Sequence, residues 1–530
     1  MDNSEGMALK RRFTAGHLLM LSVNGMVGSA WLFAPLYAAK IAGTGALISW
    51  LIGGFATLLI ALTFAELSVF LPIAGGTAQI PQLSHGTLTG FTMSWLAWLS
   101  ALVVAPIEVQ AVLQYSSTYF TSLTALNAAG VAVLTGVGFF WATVLMLLLC
   151  MSNAVSFNGL LGFNALLFTF KVLVILLVIL GLGHTQFHFE NFVHASGALS
   201  WHAILAAVVT GGIAFAFTGF KHGVELAAEA KNPRVTLPLS VAGSVLICLM
   251  LYLGLQVAFI VAIEPALLQQ GWAHLSFVGD AGPFAGLALG LGLLFLAKLL
   301  YIDAAVSPFG AGLAYVASTA RVLYAMSVIG FFPEILSKLN HKKLPVYAIG
   351  VNFMLGMCVF FPLPGWQAMV NFLMAGMVIS YGMGPIAVLC FRKQYPDLKR
   401  PWKLPCVDLV CILAFYSCNL LNYWTGWDTF YKLGIAMLLG FVLFAIVYLN
   451  GHVKLPKITK SCFYWLAPYL TGLFCISYWG AFGGKNKIPL GYDFVIIFIF
   501  SVFILYWAVY HRNKEAVLIN SPLSTMLDIK

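Results

Sequence analysis

The sequence predicts an all-α polytopic membrane protein, an inverted five-plus-five helix repeat in which the first helix of each block is broken. Three observations predict it. The 530-residue chain is 61% hydrophobic and 8% charged, against roughly 25% charged residues in a soluble domain, and its mean hydropathy is +0.95. Two membrane-length apolar segments are interrupted by glycine and polar residues at matching places, Ser22-Val23-Asn24-Gly25-Met26-Val27-Gly28-Ser29-Ala30 and Thr210-Gly211-Gly212-Ile213-Ala214-Phe215-Ala216-Phe217-Thr218-Gly219-Phe220. Lysine and arginine also collect on one side of the spans that the apolar runs define.

Apolar runs of about 20 residues read as spans. About fourteen are expected, over 14–40, 43–71, 88–121, 129–151, 158–183, 201–229, 236–263, 283–327, 345–361, 367–391, 405–424, 430–450, 462–482 and 491–511. The eighth is too long for one straight span, and Pro308 is expected to bend it. The spans group into a first five-helix block over 14–183 and a second over 201–391. An odd number of spans per block inverts the second block relative to the first. Four further helices over 405–511 lie outside the repeat, and their sequence suggests scaffold or dimer contacts. Polar tails over 1–13 and 512–530 flank the whole.

With the N-terminus inside, twenty of the 27 lysines and arginines fall on the cytoplasmic side. Four fall outside (Lys40, Lys432, Lys485 and Lys487), and Lys171, Lys221 and Lys298 fall within spans. This asymmetry predicts cytoplasmic N- and C-termini in a bacterial inner membrane. It also assigns the net charge of +10 to topology, not to a nucleic-acid partner. No cleavable signal peptide is expected, because Met1–Arg12 is polar and the first apolar run is full length. The nine cysteines lack CxxC pairing and read as apolar fillers, not disulfides or metal ligands. His17, His85 and His341 lie near span ends without metal spacing. Trp424, Trp427, Tyr464 and Trp465 suit interface anchors. No cofactor is expected.

A helix broken inside lipid leaves bare N–H and C=O groups, tolerated only where protein, water or a ligand satisfies them. Matching breaks in two halves are the sequence pointer to a secondary transporter's binding site. Gly25, Gly28, Ser29 and Ala30 offer little side chain, so amides opening the outer half-helix can face an anion. Carbonyls closing the inner half-helix can accept from an ammonium. Together they suit a zwitterion; close packing through small residues is the alternative.

Five further stretches carry a family resemblance. Val27-Gly28-Ser29-Ala30 sits at the first break. Phe217-Thr218-Gly219-Phe220 precedes Glu229-Ala230-Lys231-Asn232-Pro233-Arg234 and Pro238. Glu66-Leu67 precedes Pro72-Ile73-Ala74-Gly75-Gly76. Arg321-Val322-Leu323-Tyr324-Ala325-Met326 precedes Gly330 and Pro333, and Arg400-Pro401-Trp402-Lys403-Leu404-Pro405 follows the tenth span. Taken in their order along the chain, they resemble the amino acid–polyamine–organocation (APC) superfamily, with its leucine-transporter-type fold. Ala30 stands where that family usually has the second glycine of a Gly-Ser-Gly turn. By the resemblance, amides of Gly28, Ser29 and Ala30 would hold a substrate carboxylate. Carbonyls of Met26, Phe215 and Thr218 would hold its amine, with Gly219 in the second break and Phe215 a gate. Pro106-Ile107-Glu108-Val109, Trp95, Trp98 and Ile302-Asp303-Ala304 with Ser307-Pro308 further resemble the bacterial aspartate–proton symporter subgroup.

A lysine in a span costs about 2.5–3.5 kcal/mol on insertion scales and is a functional-site hypothesis by default. Lys171 matches the fifth-helix lysine that, in sodium-independent members of the superfamily, stands where sodium sits in sodium-coupled relatives. Its ammonium could bridge the first break and the middle of the eighth span. Lys221 follows the second break, where many members have an acidic residue; a cation there favours an acidic side chain on the ligand. Lys298 and Asp303 could face a polar cavity or form a structural ion pair. Glu108, Glu66 and Glu225 are buried carboxylates, each a candidate proton carrier or a partner for a lysine; Glu108 is the first coupling candidate, alongside Lys171.

These readings converge on a secondary active importer of an amino acid, coupled to protons and drawn toward acidic substrates, working by alternating access. Its partners are then the amino acid, protons and the lipid bilayer. An exchanger of the same fold and a non-transporting substrate sensor are the alternatives. No metal spacing, nucleophile elbow or phosphate loop points to an enzyme.

Overall fold

The computed structural model describes residues 13–73, 76–128, 130–154, 160–193, 200–277, 279–342, 344–398, 400–449 and 463–513. Lys10, Arg11, Arg12, Lys343, Lys399, Lys454, Lys457, Lys460, Lys514, Lys530 and the pair Ala74-Gly75 lie outside the described residues.

The first span is two half-helices, α1 (Ala15–Met26) and α2 (Ala30–Ala42). Thr14 caps α1, its Oγ1 accepting from the His17 amide at 3.4 Å while the Thr14 amide donates to His17 Nδ1 at 3.5 Å, a reciprocal capping box. There follow α3 (Ala46–Phe70), a short α4 (Gly76–His85) that the hydropathy pattern did not announce, and α5 (Thr87–Ser116). The fourth span was expected from residue 129. Instead Thr124–Leu126 and Ala132–Leu134 pair as an antiparallel hairpin, and α6 starts only at Gly136, running Gly136–Ala154. The apolar residues 131–134 suit a strand as well as a helix, and hydropathy alone does not separate the two. Then come α7 (Leu160–Thr185) and the four-residue α8 (Glu190–Val193).

The second broken span mirrors the first. α9 (Trp201–Thr210) is capped by Ser200 and ends at Gly211-Gly212, where Gly212 takes φ +86°, a conformation a side-chain-bearing residue rarely adopts. A 3-10 stretch Phe215–Phe220 and α10 (Lys221–Glu225) resume the chain, bent by 45° from α9. α11 (Pro233–Ala262) follows. The eighth span, which Pro308 was expected to bend, is also interrupted upstream of it. α12 (Pro283–Gly290) stops at Leu291–Leu293, with Gly292 at φ +73°, and α13 (Leu294–Ile329) runs unbroken through Pro308. A positive-φ glycine ends a helix outright, whereas a proline inside one kinks it and can leave it continuous.

The remaining helices are α14 (Val346–Val359), α15 (Trp366–Tyr381), α16 (Met383–Gln394), α17 (Val407–Trp424), α18 (Trp427–Leu449), α19 (Phe463–Trp479) and α20 (Tyr492–Tyr510). Each expected span contains a described helix or helix pair. Among the described residues ten helical stretches are long and apolar enough to cross a membrane, and the bent pair at α9 makes eleven. One of the ten, Ala30–Phe70, holds both α2 and α3.

α5 is buried along nearly its whole length between α13 and α15, and α1 packs on α7 and α11. Outside this core α17 packs against α3, α15 and α20. Buried polar ties hold the outer helices on: Asn419 Nδ2 donates to Ser501 Oγ at 2.8 Å, Tyr469 Oη to Asn419 Oδ1 at 3.0 Å, and Asn422 Nδ2 to the Ala375 carbonyl at 2.9 Å. His85 Nε2 lies 3.0 Å from the Ala508 carbonyl, a structural tether. Trp424 and Trp465 are buried among these helices, so they pack the core and are not interface anchors.

Glu66, one of the carboxylates considered as a proton carrier, is spoken for. Arg392 Nε and Nη2 grip its two oxygens at 2.8 and 2.7 Å, and the Leu404 amide donates to Oε2 at 2.7 Å. Arg400 Nε lies 3.8 Å away. This joins the end of α3 to the end of α16 and the loop beyond. Removing one partner of a buried pair strands the others, at a cost of about 3 kcal/mol where the pair is not fully enclosed. Glu66→Ala is expected to lower the melting temperature of the purified protein clearly, and the Glu66→Ala/Arg392→Ala double variant to lose less than the sum of the two single changes.

Candidate functional site

The two breaks face each other. Gly219 lies directly on α1: a Cβ there would strike the Met26 amide nitrogen, the Gly25 carbonyl carbon at 2.5 Å and the Ser22 carbonyl oxygen at 2.8 Å. Backbone-to-backbone approach of this kind needs glycine. Gly28 is held against α5 and α13, where an added Cβ would meet Glu108 Oε1 at 2.6 Å and Ala311 Cβ at 2.9 Å. These contacts bring Met26, Gly28, Ser29, Ala30, Phe215, Thr218, Gly219 and Lys221, all buried or glycine, into one region.

Lys171, on α7, ends in the first break. Its Nζ donates to the carbonyls of Val27 at 2.7 Å, Asn24 at 3.1 Å and Ser307 at 3.1 Å, and the residue is 1% exposed. The ammonium thus joins the end of α1 to the middle of α13. Hydrogen bonds from a charged donor contribute about 1.5–3 kcal/mol each, so three of them offset the roughly 2.5–3.5 kcal/mol cost of placing a lysine in a span. Ser307 Oγ donates to Asp303 Oδ1 at 2.7 Å, which brings Asp303 within one residue of the same cluster. Lys298 is exposed near the start of α13 and makes no ion pair with Asp303 among the described residues.

Glu108 comes from the middle of α5. Its Oε2 accepts from the Ser29 amide at 2.8 Å, so a carboxylate of the protein sits on one of the N–H groups expected to take a substrate carboxylate. The expected carbonyls are engaged as well. Met26 accepts from Tyr252 Oη at 2.9 Å, Phe215 from Thr218 Oγ1 at 2.9 Å, and Thr218 from Tyr381 Oη at 3.4 Å. Protein side chains therefore satisfy the broken backbone.

One face of the site is sealed by rings. Trp366 Nε1 donates to Ser29 Oγ at 2.9 Å, and its ring stacks on Tyr37 at 5.7 Å, tilts against Phe33 at 5.4 Å and meets Phe215 edge-on at 6.0 Å. On the face that carries Phe13 and the exposed Arg321, the N-terminal face, a cavity of about 720 Å³ rises past Glu225 and His222 to Gly310. The Gly310 Cα lies in the wall beside Lys171. A smaller cavity of about 330 Å³, apolar apart from Glu108, lies between α5, α6 and α13.

Lys221 is near the second break, but its charge is already matched. Its Nζ lies 3.7 Å from Glu225 Oε1 and 4.8 Å over the Tyr315 ring. The cation expected to favour an acidic ligand thus has an internal counter-ion. Several participants escaped the sequence reading: Tyr252, Tyr315, Tyr381, Trp366 and His222. All but His222, which sits between Lys221 and Glu225, are aromatics in largely apolar stretches, and nothing in local sequence separates a ring that packs from one whose polar tip reaches a break. Among the described residues no group of histidine, cysteine and acidic side chains could hold a metal ion.

Comparison with known proteins bears on this arrangement. Residues 16–475 match the amino acid permease family model. The chain is 35% identical to the glutamate/serine transporter AimA of Bacillus subtilis (strain 168), covering 97% of each protein. It is 32% identical to the aspartate-proton symporter of the same organism, covering 94% of this chain and 96% of that one, and 27% identical to its branched-chain amino acid permease BcaP, covering 85% and 95%. The opposed broken helices, the buried lysine between them and these matches agree: this multi-pass membrane protein belongs to the amino acid permease family of the APC superfamily and is a transporter of amino acids, not an enzyme.

Proposed function

We propose that the protein imports an acidic amino acid together with a proton, by alternating access between two inverted blocks, residues 14–183 and 201–391. The observation that carries this reading is the Ser29 amide occupied by Glu108 at 2.8 Å. A substrate carboxylate bound at Gly28, Ser29 and Ala30 would have to take that amide. Two carboxylates on one donor repel each other, and a proton on Glu108 removes the conflict. Substrate and proton then enter together because neither arrangement is comfortable alone. Lys171 plays the second coupling part: it holds α1 to α13 where a coupling cation would otherwise sit, so the cycle runs without sodium. The substrate ammonium would take the carbonyls of Met26, Phe215 and Thr218 in place of the present tyrosine and threonine donors.

The acidic preference rests on what two relatives transport by name, glutamate or serine in one and aspartate in the other. Lys221 does not carry it, being paired with Glu225. Phe215 and Trp366 serve as the gate on the sealed face. The lysine and arginine asymmetry supports a bacterial cell membrane location with both termini in the cytoplasm, so the open cavity faces the cytoplasm.

In proteoliposomes, an inward proton gradient is expected to raise uptake of labelled glutamate or aspartate several-fold over no gradient. Glu108→Gln is expected to abolish that dependence. Uptake that ignores the gradient and requires preloaded amino acid would identify an exchanger instead. Lys171→Ala is expected to lose at least nine-tenths of uptake while inserting normally, measured against the amount of protein in the membrane, since three carbonyls would lose their donor.

A further inference from the structure

One hydroxyl group serves both breaks. Tyr252 lies on α11, which packs against α1 and against the 3-10 stretch of the second break, and it is fully buried. Its Oη donates to the Met26 carbonyl at 2.9 Å and to the Ala216 carbonyl at 3.3 Å. The first acceptor belongs to one break and the second to the other. A phenol carries a single hydrogen, so the two carbonyls share it.

The Met26 carbonyl has no lone pair to spare. Val27 takes φ −83° and ψ 70°, the conformation of an inverse γ-turn, and the Gly28 amide donates to Met26 at 3.0 Å. That amide and the Tyr252 hydroxyl occupy both lone pairs of the oxygen. A substrate ammonium can bond this oxygen only by displacing one of them. The Gly28 donor is fixed by the turn. The Tyr252 donor is free to leave, because turning its O–H bond alone delivers the hydrogen to Ala216. The ring itself is held, 4.9 Å from Trp50 and edge-on to Phe217 at 5.5 Å, and Trp50 Nε1 is tied to Gln256 Oε1 at 2.9 Å.

We propose that Tyr252 is a positioning residue that passes the loading of the first break on to the second. With the site empty, its hydrogen serves Met26, the nearer acceptor. With an amino-acid ammonium on Met26, the hydrogen goes wholly to Ala216 and fastens α11 to the second broken helix. The other hydroxyl donors act within the second break alone: Thr218 Oγ1 on Phe215 and Tyr381 Oη on Thr218. The inference rests on the reading of the breaks as the amino-acid site, and adds the link between them.

The link has a sign. Tyr252 competes with the ammonium for Met26, so removing its hydroxyl favours the loaded state, while the signal to the second break is lost. In Tyr252→Phe, equilibrium binding of radiolabelled L-glutamate to the purified full-length chain is expected to tighten by about three- to tenfold, the equivalent of one neutral hydrogen bond. Uptake at saturating glutamate is expected to fall several-fold, so apparent KM and maximal rate drop together. A ring needed only for packing would leave both unchanged, since phenylalanine keeps the ring. Binding that is unchanged or weaker in Tyr252→Phe, or a maximal rate that does not fall, would overturn the link and leave the transporter reading intact. Where that variant fails to fold, 3-fluorotyrosine placed at position 252 keeps the hydroxyl: its fluorine resonance is expected to shift when L-glutamate is added, and an unmoved resonance under saturating L-glutamate would overturn the link. Saturable binding of none of L-glutamate, L-aspartate and L-serine to the unaltered protein would overturn the reading of the breaks and this inference with it.

Discussion

The structure depends on one ammonium group inside a broken helix. A helix interrupted at membrane depth exposes carbonyls that lipid cannot satisfy. Here Asn24 and Val27 supply such carbonyls, and Lys171 reaches both while also reaching Ser307 on α13. The same bonds make the lysine tolerable in an apolar span and the break tolerable in a helix; neither would persist alone. Because the three carbonyls belong to two different elements, the lysine also fixes α1 against α13, and with it the position of every amide at the start of α2.

Around that point the site is asymmetric. The aromatic cap of Trp366, Phe33, Tyr37 and Phe215 is anchored to Ser29 itself, so the residue whose amide faces Glu108 also carries the cap through its hydroxyl. In the proposed cycle, occupancy of the site and closure of that face would be linked through this one residue. The opposite face is hollow, and Tyr315, hydrogen-bonded to Thr218 at 2.9 Å, lies beside His222 between that cavity and the breaks. A transporter caught with one face sealed and the other open is what alternating access requires of any single conformation.

Much of this was legible in the sequence because the governing constraints are local. Glycine and polar residues within apolar runs mark breaks, and a lone lysine within a span asks for polar partners; that Lys171 would meet the first break came from the family resemblance. The carboxylate of Glu108 was legible as a buried acid but not as the occupant of the Ser29 amide, since that contact joins residues 79 apart in sequence. Lys221 shows the opposite failure. Its neighbour Glu225 stands one helical turn on and was read as a proton carrier or a lysine's partner, without Lys221 being singled out as that lysine. In the eighth span the interruption comes at Gly292, which takes a positive φ that composition does not reveal, in addition to the bend expected at Pro308. The hairpin at 124–134 was lost to its own apolarity.

The proposed cycle gives the Lys171 ammonium, bound to Asn24, Val27 and Ser307, the place of a coupling cation. The most direct measurement is uptake of labelled glutamate into proteoliposomes in buffers where choline replaces all sodium, with the proton gradient held constant. The account predicts the same initial rate with and without sodium. A rate that collapses in choline and is restored by sodium would contradict it, because the proposed cycle assigns that place to Lys171.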